Sequence, residues 1–177
     1  MMVSRRYILH IGTSVLLAVA AVSPVHSKGL VVGAPAPPIT LHTLDGRDID
    51  TSALRGKVVI VTFWATWCGP CRQELPLLSR YATEHAREGL VVLGFSLDDP
   101  DDMEQVRAVS RDLSFPVGLL GDPHVPGYGR IWHLPVNFTI DRAGRLANNG
   151  WKDRMPVWTQ ERLEAVVTPL LALPTER

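Results

Sequence analysis

The sequence predicts an α/β fold, a central mixed β-sheet with helices on both faces. Three observations carry this. Val58 to Ala65 and Leu90 to Leu97 are continuous apolar runs rich in β-branched residues, the pattern of strands covered on both sides. The segment from Cys68 to Arg87 places Leu75, Leu77, Leu78, Tyr81 and Ala82 at roughly helical spacing. Short strand-like runs then crowd the C-terminal third before a closing amphipathic stretch.

Taken in order, Lys28 to Asp50 is rich in proline and glycine, with a turn at Asp45-Gly46, and is expected to be an extended lead-in with a short hairpin. The Val58 to Ala65 strand runs directly into the helix that begins at Cys68. Gly89 stops that helix, and Pro76 should kink it by removing a backbone donor. After the Leu90 to Leu97 strand, Asp99, Pro100, Asp101 and Asp102 form a helix start: a cap, a first-turn proline and acids at the positive end of the dipole. That helix should reach Leu113. Phe115 to Leu120 is a short strand, Asn137 to Ile140 and Arg145 to Asn149 form a hairpin around Arg142-Ala143-Gly144, and Trp158 to Leu173 is a closing helix. The order is β-α-β-α-β-β-β-α.

The 177 residues are 46% hydrophobic and 20% charged, enough for one domain with a sizeable core and too apolar for a disordered chain. Eighteen basic residues balance eighteen acidic ones, so nonspecific nucleic-acid binding lacks the basic surface it needs.

Residues 1–27 are set apart from a domain expected over 28–177. Arg5 and Arg6 precede an uncharged run from Ile11 to Val22, followed by Val25, His26 and Ser27, the layout of a cleavable secretory signal. The run is shorter than the roughly 20 residues a membrane span needs, so no stable anchor is expected after cleavage. Ser4 to Leu9 also resembles a twin-arginine signal, which leaves two export routes open. Losing Arg5 and Arg6 leaves 16 basic against 18 acidic groups. Export to the periplasm puts the cysteines where disulfides form.

Those cysteines, Cys68 and Cys71, are the only two in the chain. In Trp67-Cys68-Gly69-Pro70-Cys71 they follow a strand and open a helix, the context that gives a C-x-x-C pair redox meaning. At the helix start Cys68 faces free backbone donors and the positive dipole end, which stabilise a thiolate, so it is the expected attacking thiol. Cys71, one turn later, is the expected resolving thiol. Gly69 permits close approach of a substrate backbone, and Pro70 has no first-turn donor to lose. A structural zinc site would need two further ligands from His42, His85, His124 and His133.

At these residues the sequence resembles the thioredoxin superfamily, and within it the TlpA/ResA-like exported thiol-disulfide oxidoreductases. The resemblance spans roughly Gly33 to Leu171. It rests on the run Phe63 to Pro76 around the cysteines, and on Leu134-Pro135 before Asn137 to Asp141. It implies a thioredoxin-like fold and protein disulfides as substrates. It also implies a thiol electron donor at the membrane and no cofactor or metal. Pro135 is implied to be a cis-proline facing the cysteines, with Leu134 holding an extended substrate beside Trp67, Gly69 and Pro70. Thioredoxin has a buried aspartate where this chain has Thr62, so proton handling must come from elsewhere. Glu74 matches the acid these relatives place beneath the active site, and at i+3 it shares a helix face with Cys71. The other reading of Glu74 is a solvated acid favoured by the dipole.

The remaining candidates stay open at this stage. Trp67 is expected to pack beside the cysteines and Trp64 in the core. Trp132 and His133 are candidates for shaping substrate choice. Asp98 to Asp102 suggests calcium less readily than a capped helix start. A Cu(I) metallochaperone using Cys68, Cys71 and a distal histidine such as His133 is the alternative function. A peroxidase fits poorly, because Thr66 stands only two residues before Cys68.

Overall fold

The computed structural model describes residues 29–173, and the export signal expected over residues 1–27 lies outside the described residues. The strands and helices run β1 (Thr40–His42), β2 (Asp48–Asp50), β3 (Val58–Trp64), α1 (Gly69–Glu84), β4 (Leu90–Ser96), α2 (Met103–Ser110) and β5 (Val117–Leu119). They continue with β6 (His124–Val125), β7 (Gly129–Arg130), β8 (Val136–Ile140), β9 (Leu146–Asn148), α3 (Gln160–Val166) and α4 (Thr168–Ala172).

The central sheet has five strands in the order β5-β4-β3-β8-β9. β3 pairs parallel with β4 and antiparallel with β8, so the sheet is mixed as expected. β3 is buried at every position, which is why its sequence is a solid apolar run rather than an alternating one.

Alternation along β3 divides the core in two. Val58, Ile60 and Trp64 face one layer, where they meet Leu75 and Leu78 of α1, Val106 of α2, Leu163 of α3 and Leu171 of α4. Val59, Val61 and Phe63 face the other, with Phe138, Leu41 and Tyr128. Helical segments stand on both faces, as expected, but unevenly: the buried residues of all four α-helices share one face. The opposite face is covered by the β1–β2 hairpin, the β6–β7 segment and the short 3₁₀ turns at Thr51–Leu54 and Gly150–Lys152. The physical reason lies in the connections. The steps β3-α1-β4 and β4-α2-β5 move the same way across the sheet, and right-handed crossovers then put both helices on one side.

Local chemistry accounts for the other differences. Asp99 makes no side-chain cap, and the helix after β4 begins as a 3₁₀ turn, Pro100–Asp102. α2 then ends at Ser110 rather than Leu113; the Ser110 hydroxyl donates back to the Val106 carbonyl at 2.7 Å. The closing helix is two pieces, α3 and α4, because Pro169 in the first turn of α4 supplies no backbone donor. The hairpin turn is as expected, with Gly46 at φ +84 closing on the Thr43 carbonyl.

Candidate active site

The cysteine pair sits where β3 hands over to α1. Cys68 is the N-cap residue, and its Sγ accepts from the Cys71 backbone N–H at 3.3 Å. Pro70 occupies the first helical turn. The two sulfurs form a disulfide with Cα atoms 5.3 Å apart. Cys68 is 5% exposed and Cys71 fully buried, so Cys68 is far less open than a free helix end. Open space lies where a side chain on Gly69 would stand.

The turn leading to Cys68 is fixed by a residue the sequence reading assigned elsewhere. Asp98, expected as part of a helix start, is buried at the end of β4. Its carboxylate accepts from the Thr66 backbone N–H at 2.9 Å, from the Thr66 hydroxyl at 2.6 Å and from the Ser96 hydroxyl. These bonds tie the stretch between β3 and α1 to the neighbouring strand.

Beneath the pair lies Glu74, one helical turn after Cys71 and only 1% exposed, which rules out the solvated-acid reading of its place. Its partners follow from strand register. Thr62 on β3 pairs with Asn137 on β8, and alternation turns both side chains towards α1. The Asn137 amide donates to Glu74 Oε1 at 3.2 Å and the Thr62 hydroxyl to the same oxygen at 3.4 Å. The Trp158 backbone N–H donates to Oε2 at 2.8 Å. Burial pushes the Glu74 carboxyl up to about 7, against the opposing pull of Trp158, Asn137, Thr62 and the Arg162 charge.

The Leu134–Pro135 peptide is cis, Pro135 is buried and Leu134 packs against both core layers. Trp64 is core, as expected. Trp67, expected to pack beside the cysteines, is 70% exposed. Trp132, 74% exposed, stacks parallel to Trp151 at 6.2 Å, and His133 meets both rings edge-on. Among the described residues no three His, Cys, Asp or Glu side chains gather to hold a metal ion.

Asn137, Trp158, Arg162 and Asp98 escaped the sequence reading. The signal for Asn137 was partial: it alternates with Val136, Phe138 and Ile140, so the pleat turns it to the face opposite theirs, here the helical layer.

A cysteine pair capping the helix that leaves β3, with a cis-proline leading into the neighbouring strand β8, defines a thiol-disulfide oxidoreductase of thioredoxin-like fold. The chain belongs to the AhpC/TSA family, which matches residues 32–148. It is 35% identical over 119 residues to the thioredoxin-like protein YneN of Bacillus subtilis, covering 66% of this chain and 69% of that one. It is 29% identical over 115 residues to the thiol-disulfide oxidoreductase ResA of Bacillus cereus. That match covers 65% of this chain and 66% of ResA, just under two thirds of its length. Among solved structures, a thiol:disulfide interchange protein of the thioredoxin family from Chlorobium tepidum superposes with a TM-score of 0.68 at 25% identity. The superposition covers 78% of this chain and 97% of that one.

After reduction, Cys68 is expected to alkylate faster than Cys71 near neutral pH, because it alone caps the helix and retains any exposure. Mass-spectrometric labelling kinetics check this. Equal rates, or faster labelling of Cys71, contradict it.

Proposed function

We propose that this chain is exported to the periplasm and reduces disulfides in protein substrates, with an apocytochrome c disulfide as one candidate. The observation that carries the reading is the buried Glu74 carboxyl one helical turn after Cys71, next to the Cys68–Cys71 pair in the chain.

In this reading the Cys68 thiolate attacks one sulfur of the substrate disulfide, forming a mixed disulfide and releasing the other substrate sulfur as a thiolate that takes up a proton. Cys71 gives its proton to the Glu74 carboxylate and attacks the Cys68 sulfur. The Cys68–Cys71 disulfide forms, and the second substrate thiolate leaves and is protonated. Two electrons pass to the substrate. A membrane thiol donor returns two electrons to the pair, restoring Cys68 and Cys71 as thiols. Leu134, Trp67, Gly69 and Pro70 line the approach, and Leu134 before the cis-proline offers backbone to an extended substrate segment.

The Thr66 hydroxyl donates to Asp98 rather than serving Cys68, which gives a peroxidase reading no support. The Cu(I) reading needs a distal histidine with both cysteines, and His133, its first candidate, meets Trp132 and Trp151 edge-on. Among the described residues no helix is long and apolar enough to cross a membrane.

The Gly69-Pro70 dipeptide matches that of reducing thioredoxins, near about −270 mV, whereas the oxidant DsbA lies near about −120 mV. Equilibration with dithiothreitol buffers should give a midpoint well below about −180 mV, the value for protein disulfide isomerase; a midpoint above it contradicts a reductive role. N-terminal sequencing of protein from the native host should find a start near Lys28, and a start at Met1 in the membrane fraction contradicts cleavage and release.

A further inference from the structure

We propose that Asn137 and Arg162 are positioning residues that hold the 153–158 segment against α1, so that the Trp158 backbone N–H stays on the Glu74 carboxylate and helps set when that carboxylate carries a proton. The consequence for catalysis rests on the reading of Glu74 as the proton partner of Cys71. The positioning itself does not.

The donor from Trp158 belongs to irregular backbone between the Gly150–Lys152 turn and α3. Main chain of that kind holds a fixed distance to a buried acid only if its neighbouring carbonyls are restrained. Here three consecutive carbonyls are. The Arg162 guanidinium donates to the carbonyl of Met155 and, at 3.2 Å, to that of Val157. The Asn137 amide donates to the carbonyl of Pro156 at 2.8 Å while the same nitrogen reaches both Glu74 oxygens. Asn137 thus touches the acid and the segment that serves it. Arg162 reaches back from α3, pairs with Asp153 and lies 4.4 Å over the Trp158 ring. Its side chain is anchored at both ends of the segment.

The groups acting on Glu74 are drawn from every element packed against it. Thr62 comes from β3, Asn137 from β8, the Trp158 N–H from the segment, and Arg162 from α3 supplies the opposing charge. Cys71 stands one turn before it on α1. The Arg162 charge is offset by its own ion pair with Asp153. Its influence on Glu74 therefore comes through the backbone it holds more than through direct attraction.

The test follows the Glu74 carboxyl carbon by NMR across pH in the reduced full domain, alongside the pH profile of thiol-disulfide exchange with a small aromatic disulfide. The variants are Asn137→Ala, Arg162→Gln and Arg162→Lys, with folding checked by far-UV circular dichroism. Each should raise the Glu74 titration midpoint by about one pH unit, since each removes or loosens a donor that favours the carboxylate. Arg162→Lys is decisive: it keeps the charge but has one nitrogen where the guanidinium uses two, Nη1 on the Met155 and Val157 carbonyls and Nη2 on Asp153. It also keeps the test open if Asn137→Ala fails to fold. A midpoint in Arg162→Lys equal to that of the unaltered protein overturns the positioning role and leaves only charge. Unmoved midpoints in all folded variants overturn the proposal entirely. A raised midpoint with an unchanged exchange profile supports the positioning and instead contradicts the pairing of Glu74 with Cys71.

Discussion

A carboxyl group in the dry interior between α1 and the paired strands β3 and β8 constrains everything around it. Isolated burial of a carboxylate is costly, so the group must keep its proton or be surrounded by donors, and Glu74 does part of each. Its three donors come from two adjacent strands and from a segment far along the chain. Each donor exists only if the sheet register, the helix placement and the C-terminal packing are all correct. The redox end therefore depends on the assembly of the whole domain.

The same dependence appears on the other side of the cysteines. Thr66, between β3 and Cys68, has both its N–H and its hydroxyl committed to Asp98 at the end of β4. The parallel pairing of β3 with β4 brings Trp64 level with Ser96, which puts Asp98 within reach of Thr66. The Cys68 sulfur is thus presented by a turn that cannot swing freely, with Trp67, Gly69 and Pro70 exposed around it. Rigid backbone around the attacking sulfur suits a reaction in which that atom must line up with two other sulfurs.

Much of this was legible in the chain. Solid apolar runs marked β3 and β4, because strands buried on both faces have no polar positions to alternate. The cysteine spacing, Gly69-Pro70 and Leu134-Pro135 marked the redox end through local chemistry and resemblance. What was hidden depended on tertiary contacts. Asp98 looks like a helix cap among its acidic neighbours, and only the β3–β4 register turns it towards Thr66. Arg162 lies on a helix face whose partner is the loop just before it, and nothing in its periodicity announces the two carbonyls it restrains. Glu74 was ambiguous for a related reason: a first-turn acid serves the dipole equally well in water, and burial by Trp158 cannot be read from spacing. β6 and β7 are two residues each, too short to leave a pattern.

The central claim is that Glu74 holds its proton in the folded protein until near neutral pH, and stability measured against pH tests it most directly. The folded carboxyl is raised from 4.5 to about 7, so across that interval the native state keeps a proton that the unfolded chain has released. Stability of the oxidised protein should then fall as pH rises from about 4.5 to about 7, by on the order of 3 kcal/mol from this group. Urea unfolding of the protein beside Glu74→Gln isolates the contribution. A fall that disappears in Glu74→Gln is the expected result, and parallel profiles for the two proteins would contradict the claim.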